Sequence, residues 1–348
     1  MFTRARSHGS IEFPILRLGL AGYTAAEEAH LAEAIRAHPR EANWQLSRLS
    51  DADAWCVNGT RVQVLPDGTL RIAPGLSTNR AIRVNLADIH GPLAFSNPPA
   101  GLKPACTFDA ASGDSIREMT ETFENALRPT LLQFQLASRL VEDKLPINSG
   151  VFHVSVQGHL VALVSMRSGV GVSLMVTPAQ LRHAQWSRRP EGADDMPAKF
   201  VRIGFSQLMW QYATRTERDC LPSHYRENRL YLRRPPRLSM QLLNDQVLLL
   251  VRELGFTPAG MGELAQRTGI GEPALSRHLG ALYMVGSITA DPRRAPAPRA
   301  LQPSGEWSSM FSGSSVTTGA LEADKTVKLS VKRGAGGAGL DQVRYVED

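Results

Sequence analysis

Residues 240–288 read MQLLNDQVLLLVRELGFTPAGMGELAQRTGIGEPALSRHLGALYMVGSI and parse as three helices. In the first, Leu243, Val247, Leu250, Val251 and Leu254 recur at helical spacing and give one apolar face. Gly255 is expected to close it. A short second helix is expected over about Met261–Arg267, with Leu264 and Ala265 inward and Thr268-Gly269 as its stop. Ile270-Gly271-Glu272 then turns the chain. Pro273 opens a third helix to Val285, at a first-turn position where a missing N–H costs nothing. Leu275, Leu279, Leu282 and either Tyr283 or Met284 form its buried side. Helix, Gly-containing turn, helix is one of the few supersecondary units with a readable signature.

The segment ELAQRTGIGEPALSRHLGALYMVGSI resembles the second and third helices of winged-helix transcription regulators, over roughly 50 residues of the 348. The resemblance implies that Glu272, Ala274, Ser276, Arg277 and His278 begin a recognition helix that meets the major groove. It also implies that Ser276 and Arg277 reach base edges or phosphates. The pattern departs after Ile288. A wing needs a second strand, and ADPRRAPAPRALQP is too rich in Pro to supply ladder donors, so a short or missing wing is expected. The helix carries little positive charge, Arg277 plus a mostly neutral His278. A packing or protein-docking role for the same fold therefore stays open beside DNA binding.

Charge sharpens that choice. The chain has a formal net charge of +6. Residues 226–299 hold eleven Arg and no Lys against six Asp and Glu, so the excess concentrates around the helix pair. Such a distribution suits phosphate neutralisation. Arg233, Arg234 and Arg237 lie in a basic hinge before the helices, and Arg293 and Arg294 follow them; these five join Glu272, Ser276, Arg277 and His278 as the candidate DNA-binding set. Arg233 and Arg237 also share the RxxxR spacing of PilZ-type cyclic-dinucleotide clamps, but no D/NxSxxG follows them.

Nearer the N-terminus, Ile15–Ala21 (ILRLGLA) reads as a buried strand interrupted by one charge, Arg17. Thr24 and Glu27 form a capping box for a helix that Pro39 stops. Strands are expected at Trp44–Leu49 and Ala54–Asn58, then a hairpin around Pro66-Asp67-Gly68 and a strand in AIRVNLA. This order and strand spacing resemble the receiver domain of response regulators. The chemistry does not follow: Gly19-Leu20-Ala21-Gly22 offers no carboxylate after the first strand, and Asn58 stands where a phosphoacceptor Asp would be. The resemblance thus implies a degenerate receiver that docks or dimerises.

Residues 91–113 are rich in Pro, Gly and Ser and read as a linker. A helical pattern from Ser115 to Val141 breaks at Pro129. Alternating strands follow from Val151, and a further helix lies around Phe205–Tyr212. The expected organisation is α+β and multi-domain. It comprises an α/β domain at 1–90, the linker at 91–113, a central mixed sheet with helices at 114–236, a helical winged-helix-like domain at 237–291 and a mostly disordered tail at 292–348.

Catalytic signals are missing from the sequence. Cys56, Cys106 and Cys220 are sparse and form no CxxC, and His153 and His159 alternate on strands without partners at ligand spacing. No GxSxG, HExxH, GxxxxGK[ST] or GxGxxG occurs. No metal, cofactor or catalytic residue is therefore expected. No apolar run reaches the roughly 20 residues of a bilayer span, and Glu12, Pro14 and Arg17 break any signal-peptide core, so a cytoplasmic protein without membrane contact is expected. The functional expectation is a non-enzymatic, bacterial-type regulatory protein that binds DNA, with a protein partner or a second copy. The alternative is a signalling adaptor whose receiver-like and winged-helix-like parts make protein contacts.

Overall fold

Ile15–Ala21 forms strand β1, buried at five of its seven positions, and lies inside the first layer of the molecule. The computed structural model describes residues 12–37, 41–65, 68–73, 82–85, 89, 91–99, 104, 106–142, 150–190 and 192–295; what was expected of the leader at 1–10, and of the tail beyond 295, lies outside them. Helix α1 (Ala25–Arg36) begins on the expected capping box, with Thr24 accepting from the Glu27 backbone and Glu27 accepting in return. Strands β2 (Asn43–Ser47) and β3 (Ala54–Asn58) flank β1 on either side, both parallel to it. A three-stranded antiparallel unit follows: β4 (Val62–Val64), β5 (Thr69–Ile72) and β6 (Ile82–Asn85).

The stretch read as a linker then corrects the expectation. Residues 91–113 contain β7 (Leu93–Ser96) and β8 (Cys106–Phe108), which extend the first sheet in parallel to the order β2-β1-β3-β7-β8. The prolines stand outside these strands, at Pro92, Pro98-Pro99 and Pro104, where they need not donate to the ladder. The first lobe therefore runs on through helix α2 (Gly113–Ala126), which packs against α1. One face of the sheet, through Leu18, Ala54, Cys56 and Ala94, is covered by Leu31 and Ile35 of α1 and Ile116, Met119 and Phe123 of α2. The other face, through Ala21, Val57 and Phe95, meets Leu70 and Ile72 of β5.

Helix α3 (Arg128–Glu142) starts after a break at Leu127, with Pro129 in its first turn. The second sheet is antiparallel, ordered β12-β9-β10-β11-β13. It is built from β9 (Val151–Val156), β10 (His159–Ser165), β11 (Gly169–Val172), β12 (Gln185–Arg189) and β13 (Val201–Ile203), with helix α4 (Pro178–Arg182) between β11 and β12. Helices α5 (Phe205–Arg215) and α6 (Ser223–Glu227) and strand β14 (Tyr231–Leu232) lead into α7 (Asp245–Phe256), α8 (Met261–Thr268), α9 (Glu272–Met284) and β15 (Ile288–Thr289). Gly255 lies inside α7 rather than ending it.

The protein is thus a mixed α+β chain, and its described residues fall in one compact unit. A single apolar core runs from Leu132 and Phe134 of α3, through Val154 and Val164 of the second sheet and Leu208 of α5, to Leu264, Leu279 and Leu282 of the C-terminal helices. Among the described residues no helix is long and apolar enough to cross a membrane.

Gly59, directly after β3, shows how tightly the first lobe closes. A Cβ built there would stand 1.8 Å from the Asn97 carbonyl oxygen, a backbone atom that cannot swing aside. Gly59→Ala is expected to destabilise the chain by about 2–3 kcal/mol, read as a lower urea midpoint with unchanged slope.

Candidate functional site

Helix α8, a three-residue turn and α9 form the expected pair. Gly269 adopts the left-handed conformation (φ 68°) that a C-cap needs. The Thr268 hydroxyl donates to the Leu264 carbonyl and accepts from the Ile270 N–H, so the turn is satisfied locally. Leu264, Leu275, Leu279 and Leu282 are fully buried and face Val247, Leu250 and Val251 of α7.

The strand missing from the Pro-rich segment comes from upstream. β15 pairs antiparallel with β14, through Tyr231–Thr289 and Leu232–Ile288. On the other side, Leu230 bridges Ala259, the residue between α7 and α8. A segment preceding α7 therefore supplies the partner of β15, and Pro292 lies outside the ladder.

The nine candidate residues divide into two groups. Arg233, Arg234 and Arg237 are exposed at one end of the β14–β15 ribbon. The Arg233 N–H donates to the Ser287 carbonyl (2.7 Å), and the Arg234 guanidinium donates to the Val285 carbonyl at the end of α9 (3.4 Å). Partial burial, then Arg237 and Arg233, lower the Arg234 pKa. Arg293 and Arg294 are exposed in the turn after β15, where Asp291 pairs with Arg294 and accepts from the Arg293 N–H. These five remain available to a partner.

The α9 group is divided: Glu272, at the helix start, and Arg277 are exposed, and Ser276 and His278 are half-buried. Ser276 accepts from Arg226 (2.7 Å) and donates to Asp219 (3.3 Å), and those two charges pair with each other. Tyr283 meets Tyr225 edge-on, with ring centroids 4.8 Å apart. Gly280 and Ala281 are buried where α9 packs along α5; a Cβ at Gly280 would lie 3.3 Å from Cys220 and from the Leu221 backbone. The side of α9 that carries Ser276, Gly280 and Tyr283 is thus covered by Arg226, Asp219, Tyr225 and the turn at 219–221, while Glu272, Pro273 and Arg277 stay exposed.

Ala274, Arg277 and His278 look the other way, into a cleft of about 440 Å³ between α9 and the first lobe. Arg17 and Asp51 of that lobe line it with the N-terminal turn of α7 and the end of α5. His278 Nε2 donates to Gln246 Oε1 (2.8 Å). Burial first, then Arg17 and Arg277, push the His278 pKa down to about 4, with Asp51 opposing. Arg277 makes no hydrogen bond or ion pair with any described residue, and burial and Arg17 lower its pKa. The Arg17 guanidinium donates to the Thr214 carbonyl (2.9 Å). Beneath them Arg215 pairs with Asp53 at 2.5 Å, both side chains nearly buried. Sequence reading missed Arg17, Asp51, Arg215 and Gln246 as site residues, since they come from segments up to 230 positions apart. One trace was visible: Arg17 is the lone charge in an apolar strand.

The carboxyl ends of the first sheet, where doubly wound folds hold ligands, are filled. Tyr23 hydroxyl and Ser96 hydroxyl share a hydrogen bond of 2.9 Å, and both residues are buried. Burial raises the Tyr23 pKa, so the phenol stays protonated. Asn58 is turned onto Thr60, accepting from its N–H and its hydroxyl. His153 is bonded through Nε2 to the Ala193 carbonyl (2.8 Å), a structural role. Among the described residues no group of three or more His, Cys, Asp or Glu could hold a metal ion. No family model, curated protein or solved structure matches the chain.

The buried His278 predicts a pH dependence. Its folded pKa, about 4, lies below the ordinary value near 6.5, so the unfolded chain binds the proton more tightly. The stabilisation is whole above pH ~6.5 and drains away as pH falls towards 4, by on the order of 3 kcal/mol. Urea melts between pH 7 and 4 should show a flatter loss of stability in His278→Gln than in the wild type.

Proposed function

We propose that this chain is a non-enzymatic regulatory adaptor in which the helix-turn-helix serves as a docked structural lobe rather than as a DNA reader. The observation that carries the reading is the covered face of α9: Gly280 and Ala281 lie against α5 and Cys220–Leu221, and Ser276 is held by Arg226 and Asp219. A major groove needs that side free. The first lobe supports a non-catalytic role, because the Tyr23–Ser96 bond and the contact of Gly59 with Asn97 fill the place where a doubly wound sheet would take a ligand. The exposed Arg233, Arg234, Arg237, Arg293 and Arg294 offer the surface for a partner, and an acidic protein face suits them.

Those arginines also favour a second reading, in which phosphate backbone binds the ribbon and α9 leaves α5 to read sequence. The two readings separate on binding to sheared genomic DNA titrated against salt. The adaptor reading expects at most weak, salt-sensitive and unselective binding, lost in Arg233→Ala/Arg237→Ala and unchanged in Arg277→Ala. It also expects the amides of Leu275–Leu282 to exchange as slowly as those of Leu208–Ala213. Sequence-selective binding that disappears in Arg277→Ala would overturn it.

A further inference from the structure

We infer that the cleft between the first lobe and α9 is a binding site for a small phosphate-bearing ligand of mononucleotide size. The inference does not rest on the adaptor reading, since the cleft exists whichever partner the ribbon meets.

Its volume, about 440 Å³, lies in the range of small-molecule sites. Its walls bring cations together from two elements, Arg17 from β1 and Arg277 from α9, with the neutral imidazole of His278 also on the lining. The two like charges lie near enough to disfavour one another, with Arg17 half-buried and held by the Thr214 carbonyl and Arg277 exposed at the mouth. The carboxylates nearby do not balance them. Asp53 is taken by Arg215 and by the Arg17 N–H, which leaves Asp51 as the one opposing charge. Arg17 donates to a neutral carbonyl and Arg277 to no described residue, so both forks retain free N–H groups. Gln246, bonded to His278 through its Oε1, keeps its amide N–H₂ to donate. Planar guanidinium forks facing one gap, with a further neutral donor beside them, match the oxygens of a phosphate better than a single carboxylate. A ligand there would bridge the first lobe and α9, so it would fasten the helix to the body of the protein.

Calorimetry on the full chain tests this, with inorganic phosphate, pyrophosphate, AMP and citrate as probes. The expected result is one AMP or pyrophosphate per chain with a Kd below ~1 mM. Arg277→Ala should weaken it about tenfold or more. Its melting temperature without ligand should stay near that of the wild type, because Arg277 bonds to nothing that would be lost. Asp51→Asn should tighten binding, a sign that a merely structural change would not produce. Arg233→Ala/Arg237→Ala should leave it unchanged. The inference is overturned if none of the phosphates binds at about 10 mM. It is equally overturned if Arg277→Ala and Arg17→Gln both bind as the wild type does, or if citrate binds as tightly as pyrophosphate.

Discussion

Helix α5 is buried at six consecutive positions, Leu208 to Ala213, and this is the constraint from which the rest of the arrangement follows. A helix with a single apolar stripe can lie on a surface, whereas one buried around its whole circumference must be enclosed by other elements. Three elements contribute most visibly. Phe134 of α3 stacks on Tyr212 with centroids 5.4 Å apart, the Trp210 indole donates to the Leu242 carbonyl at 3.1 Å, and α9 lies along the remaining side. At the end of α5 the chain becomes charged, and Arg215 reaches Asp53 of the first lobe. Removing one partner of such a buried pair typically costs about 3–5 kcal/mol, because the other charge is left without a counterion. Arg215 is desolvated enough for burial to lower its pKa, which marks the pair as a fastening and not a surface decoration.

This enclosure also fixes how α9 lies in the fold, with one side against the body of the chain and its first turn exposed. Gly280 lets α9 approach Cys220 and Leu221, where a larger side chain would hold it away. The tyrosine pair, the Ser276 contacts and the shared core then act in the same direction. The first lobe is joined to the rest by a small buried apolar cluster of Leu16, Ala42 and Leu131 and by ion pairs: besides Arg215 and Asp53, Arg182 pairs with Glu41 at 2.6 Å and Arg218 with Glu12 at 3.3 Å. Ion pairs at such a boundary respond to salt and pH, whereas its apolar cluster does not.

Local chemistry carried the elements. The Thr24–Glu27 capping box, the seven residues of β1, the strand Ala54–Asn58, the break near Pro129 and all three C-terminal helices could be read because each depends on neighbours within a few positions. The segment 91–113 misled for the same reason. Its prolines resemble those of a linker, and only pairing with β3 makes strands of Leu93–Ser96 and Cys106–Phe108. Likewise Tyr231–Leu232 gives no local hint that it will complete the sheet beside β15.

The sequence by itself determined most of the helices and several of the strands, that the chain is mixed α+β, and that positive charge gathers around residues 226–299. Periodicity, caps and composition are properties of short windows, and short windows suffice to set them. What only the tertiary structure decided is which face of each element is left free. Ser276, Arg277 and His278 look alike as candidates along one helix, yet one is held by Arg226 and Asp219, one makes no bond and one is bonded to Gln246. That division depends on residues as distant as Arg17, brought opposite by the packing around α5. Burial and proximity of charge are sums over the whole fold, and no window of sequence contains them.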